Sequence, residues 1–165
     1  MLFRSKDDPA VWDATGDLYA LKGDARAAAG AYKGIASSGG SAARAFRKTG
    51  MAYQTARNFG AARSAFDAGI RADAAAGGGA EEKHLLYQSL ASLSLVEGDE
   101  KSAITALLLS AQVKMDATAL FAFRTDIADA LLKRGLAKPV RDYAQAVLKI
   151  APRDAGAMRL LAATR

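Results

Sequence analysis

Cysteine is absent from this 165-residue chain, and histidine occurs once, at His84. Without thiolates or a second imidazole there is no cysteine nucleophile, no thiol redox centre, no iron–sulfur cluster and no sulfur–imidazole zinc site. Disulfides cannot carry the structure either, which fits a reducing compartment, and the expected localisation is cytoplasmic. Long apolar runs are missing too. No stretch approaches the roughly 18 uncharged apolar residues of a membrane span, so membrane insertion is not expected. The opening MLFRSKDDPAVW is interrupted by acidic residues before a signal-peptide core can form.

Alanine is what the chain has in quantity, at 40 of 165 residues, so the 51% hydrophobic content rests largely on very small side chains. Alanine favours helix over strand and lets neighbouring helices approach closely, which predicts an all-α protein. The net charge of +6 is unevenly distributed. Residues 1–21 carry −2, 22–71 carry +7, 72–132 carry −5 and 133–165 carry +6. Such alternation can direct charged partners to particular regions, or simply solvate helix faces.

An internal period is visible. Gly16, Tyr19, Ala28 and Tyr32 recur 34 residues later as Gly50, Tyr53, Ala62 and Phe66. Trp12 precedes Gly16 by four residues, and WDATGDLYALKGDARAAAGAY places small residues where helices must approach and aromatics where gaps must be filled. This pattern resembles the tetratricopeptide repeat (TPR), with its aromatic, Leu-Gly, Tyr and later Ala followed by an aromatic. Two weaker units follow. In the third, Tyr87, Leu90-Ala91, Gly98-Asp99, Ala103 and Leu107 take the corresponding places. In the fourth they are Ile127-Ala128, Gly135 and Pro152, with Val140 replacing alanine and Ala144 replacing the aromatic.

The resemblance implies a right-handed α–α superhelix, a TPR-like solenoid of antiparallel helix pairs. The whole chain, 1–165, is then a single domain with approximate repeats 9–42, 43–76, 84–117 and 121–154. A helix over 155–163 serves as a cap or as half of a fifth repeat. Helix starts are expected at Asp8 with Pro9, Asp24, Ser41 and Asn58, later helices near 81–96, 101–114, 119–134 and 138–150, and the terminal helix is begun by Asp154. Between Arg57 and Gly98 the spacing is 41 rather than 34, with the surplus near 70–83. Seven residues are about two helical turns, so the outer helix of repeat two or the inner helix of repeat three is expected to be extended. Gly77-Gly78-Gly79 then marks a break. A slightly long connection is expected near Lys114 to Thr118.

Chemistry has little to stand on. His84 and Glu81 share a helical face but lack a third metal ligand, and His84 reads as an ordinary surface or half-buried histidine. Asp126 and Asp129, three apart, lack any sign of a substrate pocket. AAAGGGAEE lacks the lysine and the strand-to-helix setting of a phosphate loop. Trp12, Tyr19, Tyr32, Tyr53, Phe66 and Tyr87 read as core aromatics wedged among small residues. No enzyme, cofactor or metal is expected.

In TPR proteins the first helices of successive repeats line a concave surface that receives a peptide or protein. By that resemblance the groove residues here are Asp13 and Asp17, then Arg44, Arg47, Met51 and Gln54, then Gln88, Ser92 and Leu95, then Thr125, Asp129 and Lys133. A partner would meet an acidic end, a basic middle, a neutral polar stretch and a mixed end. The family's clamp for acidic chaperone termini is not matched, because Asp13, Asp17, Met51, Gln88 and Ser89 stand where its lysines, arginine and asparagines would. The expected function is a noncatalytic adaptor or scaffold binding an unidentified protein or peptide segment. A homo-oligomeric assembly module is the alternative, and nucleic-acid binding ranks below both because the −5 segment interrupts the basic field.

Overall fold

The computed structural model describes residues 8–76, 79–113 and 125–165, and among these every regular element is an α-helix. The chain divides into two compact units, Met1–Glu82 and Lys83–Arg165. The first holds α1 (Pro9–Leu21), α2 (Ala25–Ser37), α3 (Ala42–Thr55), α4 (Phe59–Ala75) and the first turn of α5 (Ala80–Glu97). The second holds the rest of α5, α6 (Glu100–Gln112), α7 (Thr125–Lys133), α8 (Ala137–Ile150) and α9 (Ala155–Ala163).

Helix starts follow local chemistry. Asp8, Asp24, Ser41, Asn58, Asp99 and Asp154 each accept a backbone N–H from the first turn of the helix they precede, at 2.7–3.2 Å. Each satisfies one of the donors that a helix N-terminus leaves without an intrahelical partner. Helix α8 follows Leu136, which offers no side-chain cap. The two helices flanking the long interval are both extended, α4 to 17 residues and α5 to 18, against 13 or 14 in α1–α3. The expected break at Gly77-Gly78, the connection at 114–118 and the first part of the expected helix 119–134 lie outside the described residues.

The turns inside the helix pairs repeat one geometry. Asp24, Asn58, Asp99 and Leu136 donate their N–H to the carbonyls of Tyr19, Tyr53, Ser94 and Leu131. The residue before each donor takes positive φ: Gly23 (78°), Arg57 (59°), Gly98 (80°) and Gly135 (81°). Arg57 alone among them carries a side chain in this left-handed conformation, which costs about 1–2 kcal/mol for a non-glycine residue.

In unit one, α1 packs on α2, α2 on α3 and α3 on α4. The closest approaches are glycine to aromatic. A Cβ at Gly16 would lie nearer than 3.0 Å to three ring atoms of Tyr32, and one at Gly50 would meet Phe66 in the same way. Gly34 gives equivalent room to Trp12. Gly16 and Tyr32, like Gly50 and Phe66, are 16 residues apart, and in unit two the same spacing separates Ala91 from Leu107 and Ala128 from Ala144, all buried. From glycine with an aromatic to alanine with leucine the summed side-chain volume changes little, whereas Ala128 with Ala144 is a smaller pair. Tyr19 departs from the expected core set: it is 38% exposed, while Tyr32 and Phe66 are buried.

In unit two, α8 packs on α7 and α9, and α6 touches α7 and α8. Helix α5 buries His84, Leu86, Gln88, Leu90, Ala91, Leu93 and Ser94, residues that point to several sides of the helix. His84 is fully buried, against the expectation of a surface or half-buried ring. Its Nδ1 lies 2.8 Å from the Ser110 carbonyl, which can only accept, so Nδ1 carries the proton. Nε2 is then the acceptor for the Gln88 amide at 2.9 Å. Burial pushes the His84 pKa down, and the Ser110 carbonyl opposes part of that shift.

Candidate functional site

Helices α1 and α3 place their facing side chains at repeat-length separations, and opposite charges meet there. The Arg44 guanidinium reaches Asp13 at 2.5 Å. Lys48 binds Asp13 and also both carboxylate oxygens of Asp17, at 2.8 and 2.9 Å. Tyr32, rising from α2, donates its hydroxyl to Asp17 at 2.8 Å, and Lys48 lies 5.5 Å from the centre of its ring. Partial burial would raise the Asp17 pKa, but hydrogen bonds from Lys48 and Tyr32 and the charges of Lys48 and Arg44 hold it below the usual carboxylate range. The Tyr32 hydroxyl is pushed well above its ordinary range by burial and by the Asp17 carboxylate it binds.

A second bridge joins α3 to the start of α5. Arg47 grips Glu82 through two nitrogens, at 2.7 and 3.2 Å, and its third contact is the Met51 sulfur at 3.5 Å. Both charged side chains are largely covered. The bidentate form fixes orientation as well as distance.

These pairs change the meaning of the expected groove charges. The acidic end and the basic middle are one neutralised network, in which Asp13, Asp17 and Arg44 answer one another across helices. Lys48 and Glu82, central to it, were not among the expected site residues. Their signal was available as opposite charges 31 to 35 residues apart, close to one repeat length. Met51 stays exposed, and Gln54 is half-buried with interactions of its own.

Beside the network lies an open cleft of about 470 Å³, walled by α1 and α3 with Tyr32 at its side. Asp17 and Lys48 supply its polar lining, while Ala20, Leu21, Met51 and Ala52 supply the apolar lining. Leu21 is 86% exposed and Met51 47%. Two large apolar side chains thus stand in solvent on a rim held by ion pairs.

The remaining expected residues belong to unit two. Gln88 is corrected: it is only 3% exposed and its amide is spent on His84, so it is a core residue and offers nothing to a partner. Its neutral polar character misled, because a buried histidine needs such a neighbour. Ser92 and Leu95 are half-buried, and Ser92 has interactions of its own. Thr125 sits against Gly156, where a Cβ would meet its methyl at 2.6 Å. Asp129 is held bidentately by Arg159 of α9 at 2.6 and 2.9 Å, the unit-two counterpart of the bridges between α1 and α3. Lys133 is exposed at the end of α7.

Among the described residues no three histidine or carboxylate side chains converge as a metal site, and no helix is long and apolar enough to cross a membrane.

No protein-family model matches the chain, and no curated relative does. Among solved structures it is similar to the crystal structure of MamA protein, with 17% identity, a TM-score of 0.56, and coverage of 94% of this chain and 80% of that one. The likeness establishes the fold: all-α and a TPR-like helical solenoid, in agreement with the repeat pattern.

Proposed function

We propose that the chain is a noncatalytic protein-interaction scaffold whose first unit receives a segment of a partner protein in the cleft between α1 and α3. The observation that carries this reading is the pairing of exposed Leu21 and Met51 on a cleft whose walls are cross-linked by the Asp13–Arg44 and Asp17–Lys48 ion pairs. A pre-formed apolar cleft loses little conformational entropy on binding, and buried apolar anchors are where interface energy concentrates. The TPR-like fold supports the same reading. Arg44, Arg47 and Lys48 are paired with carboxylates, which lowers the net charge the basic segment presents to phosphates and favours a protein partner over nucleic acid.

Because Arg44 and Arg47 hold helices together, reversing their charge would disturb the scaffold itself. The informative variant is Leu21→Ser with Met51→Ser, which changes two exposed side chains and leaves the ion pairs in place, giving up the Arg47 contact to the Met51 sulfur. Residue-level crosslinking of an authentic partner to wild type and variant tests the placement. Crosslinks clustered on α1 and α3 and lost in the variant are expected. Crosslinks confined to α2 and α4 would refute it.

A further inference from the structure

We propose that the occupant of the α1–α3 cleft is an acidic amphipathic segment of a partner protein, with two apolar side chains one helical turn apart entering the cleft and flanking carboxylates meeting Lys22 and Arg57. This rests on the scaffold reading of the same cleft and adds the chemistry of what it holds.

The cleft interior offers no spare charge. Lys48 is divided between Asp13 and Asp17, and Asp17 also takes the Tyr32 hydroxyl, so a charged side chain entering there would have to break an existing pair. What remains for a ligand is the apolar lining of Ala20, Leu21, Met51 and Ala52. Its 470 Å³ is at the lower end of ligand clefts, roughly 300–1,000 Å³, which suits side chains presented by a segment rather than a whole inserted element.

The rim has the opposite character. Lys22 follows Leu21 directly, and Arg57 lies two residues beyond Thr55, which also lines the cleft. Both are exposed, and neither meets a carboxylate among the described residues. Asp24, the acidic residue nearest Lys22 in sequence, has its carboxylate oriented onto the start of α2 by the Ala27 N–H at 2.9 Å. The exposed charges that directly follow the lining residues in sequence are therefore positive, and carboxylates complement them.

The backbone of Arg57 supplies an independent observation. Gly23, Gly98 and Gly135 occupy the equivalent turns with φ near 80°, whereas Arg57 holds φ 59° with a full side chain. A strained residue at a position where glycine serves elsewhere points to a use for its side chain, and this one follows the cleft-lining Thr55 by two residues.

The test is fluorescence anisotropy of the full chain with three synthetic helical peptides of equal length. One carries two leucines four residues apart among glutamates, one has the same leucines among lysines, and one keeps the glutamates with alanine for leucine. The first is expected to bind at least about tenfold more tightly than either of the others. Lys22→Glu with Arg57→Glu should reverse the preference between the glutamate and lysine peptides. Leu21→Ser with Met51→Ser should abolish binding of both, with circular dichroism unchanged. Equal or tighter binding of the lysine peptide, an unchanged ranking after the charge swap, or no binding by any peptide overturns the inference. If it fails while authentic-partner crosslinks still fall on α1 and α3, the scaffold reading stands without it; if those crosslinks are absent as well, both fail.

Discussion

Replacing Gly50 by alanine sets two effects against each other. In an isolated helix the change stabilises by about 1 kcal/mol, since alanine is the better helix former. In this protein the new methyl would fall within 3.0 Å of three ring atoms of Phe66, which is fully buried and has no free direction to retreat. Overpacking of this kind costs about 1–3 kcal/mol, more where backbone must move, and α3 would have to shift away from α4. The net expectation is a loss of roughly 1–2 kcal/mol in the first unit, and Gly16→Ala against Tyr32 should behave alike. For a chain of 165 residues each kcal/mol lowers the midpoint by roughly 2–4 °C. Thermal and urea unfolding followed at 222 nm read the effect, with Gly30→Ala as control because nothing lies within 4 Å of that position. Gly30→Ala should stabilise by up to about 1 kcal/mol. The sequence of unit two has the corresponding exchange, with buried Ala91 and Leu107 at the same 16-residue spacing. Phe66→Leu should therefore recover about 1 kcal/mol of the cost of Gly50→Ala in a double-mutant cycle. A Gly50→Ala protein as stabilised as Gly30→Ala, or a cycle with no coupling, would refute the close-packing argument.

Arg57→Gly should raise stability by about 0.5–1 kcal/mol by relieving positive φ, net of the greater unfolded-state freedom of glycine, as read by denaturant midpoints. Asp24→Ala and Asn58→Ala each remove an N-cap acceptor and should cost about 1 kcal/mol, measured the same way. His84 is neutral in the fold with its pKa lowered, so the unfolded chain binds the extra proton first. Stability should hold above about pH 6.5 and fall as pH drops from there toward the depressed folded value. Urea midpoints between pH 7.5 and 5 check this, and a slope unchanged in His84→Gln would show that other groups cause it. Asp17 has the opposite linkage: its lowered pKa contributes stability above the ordinary carboxylate range that is lost as pH falls through the folded value. In Lys48→Met the Asp17 carboxyl resonance should titrate at higher pH than in wild type, and an unmoved midpoint would refute the assigned bond.

Much of the fold was legible because its determinants are local or periodic. Capping side chains announce helix starts within three residues, and Asp8, Asp24, Ser41, Asn58 and Asp154 each stood where the helix begins. The 34-residue recurrence of Gly16 and Tyr32 as Gly50 and Phe66 reflects one packing contact made twice. The candidate site was legible only as a set of positions. Asp13, Arg44 and Met51 do share one surface, but their charges were read as available when they are spent on one another. A repeat alignment places a residue on a helix face without saying what lies opposite, and for Arg44 and Lys48 the opposite group is 31 residues away.

Composition, capping and the repeat by themselves determined that the chain is helical, where most helices begin, and which small and large residues share the core. These depend on contacts within a turn or on a spacing that can be counted. Tertiary structure decided the rest: that His84 and Gln88 are buried together, that Tyr19 is outside the core, and that Asp17 serves Lys48 and Tyr32 beside an apolar cleft. The physical reason is that burial and charge compensation are properties of a neighbourhood. A polar side chain at the same helical position is a solvent-facing contact or a satisfied core group according to what the next helix brings within about 3 Å of it.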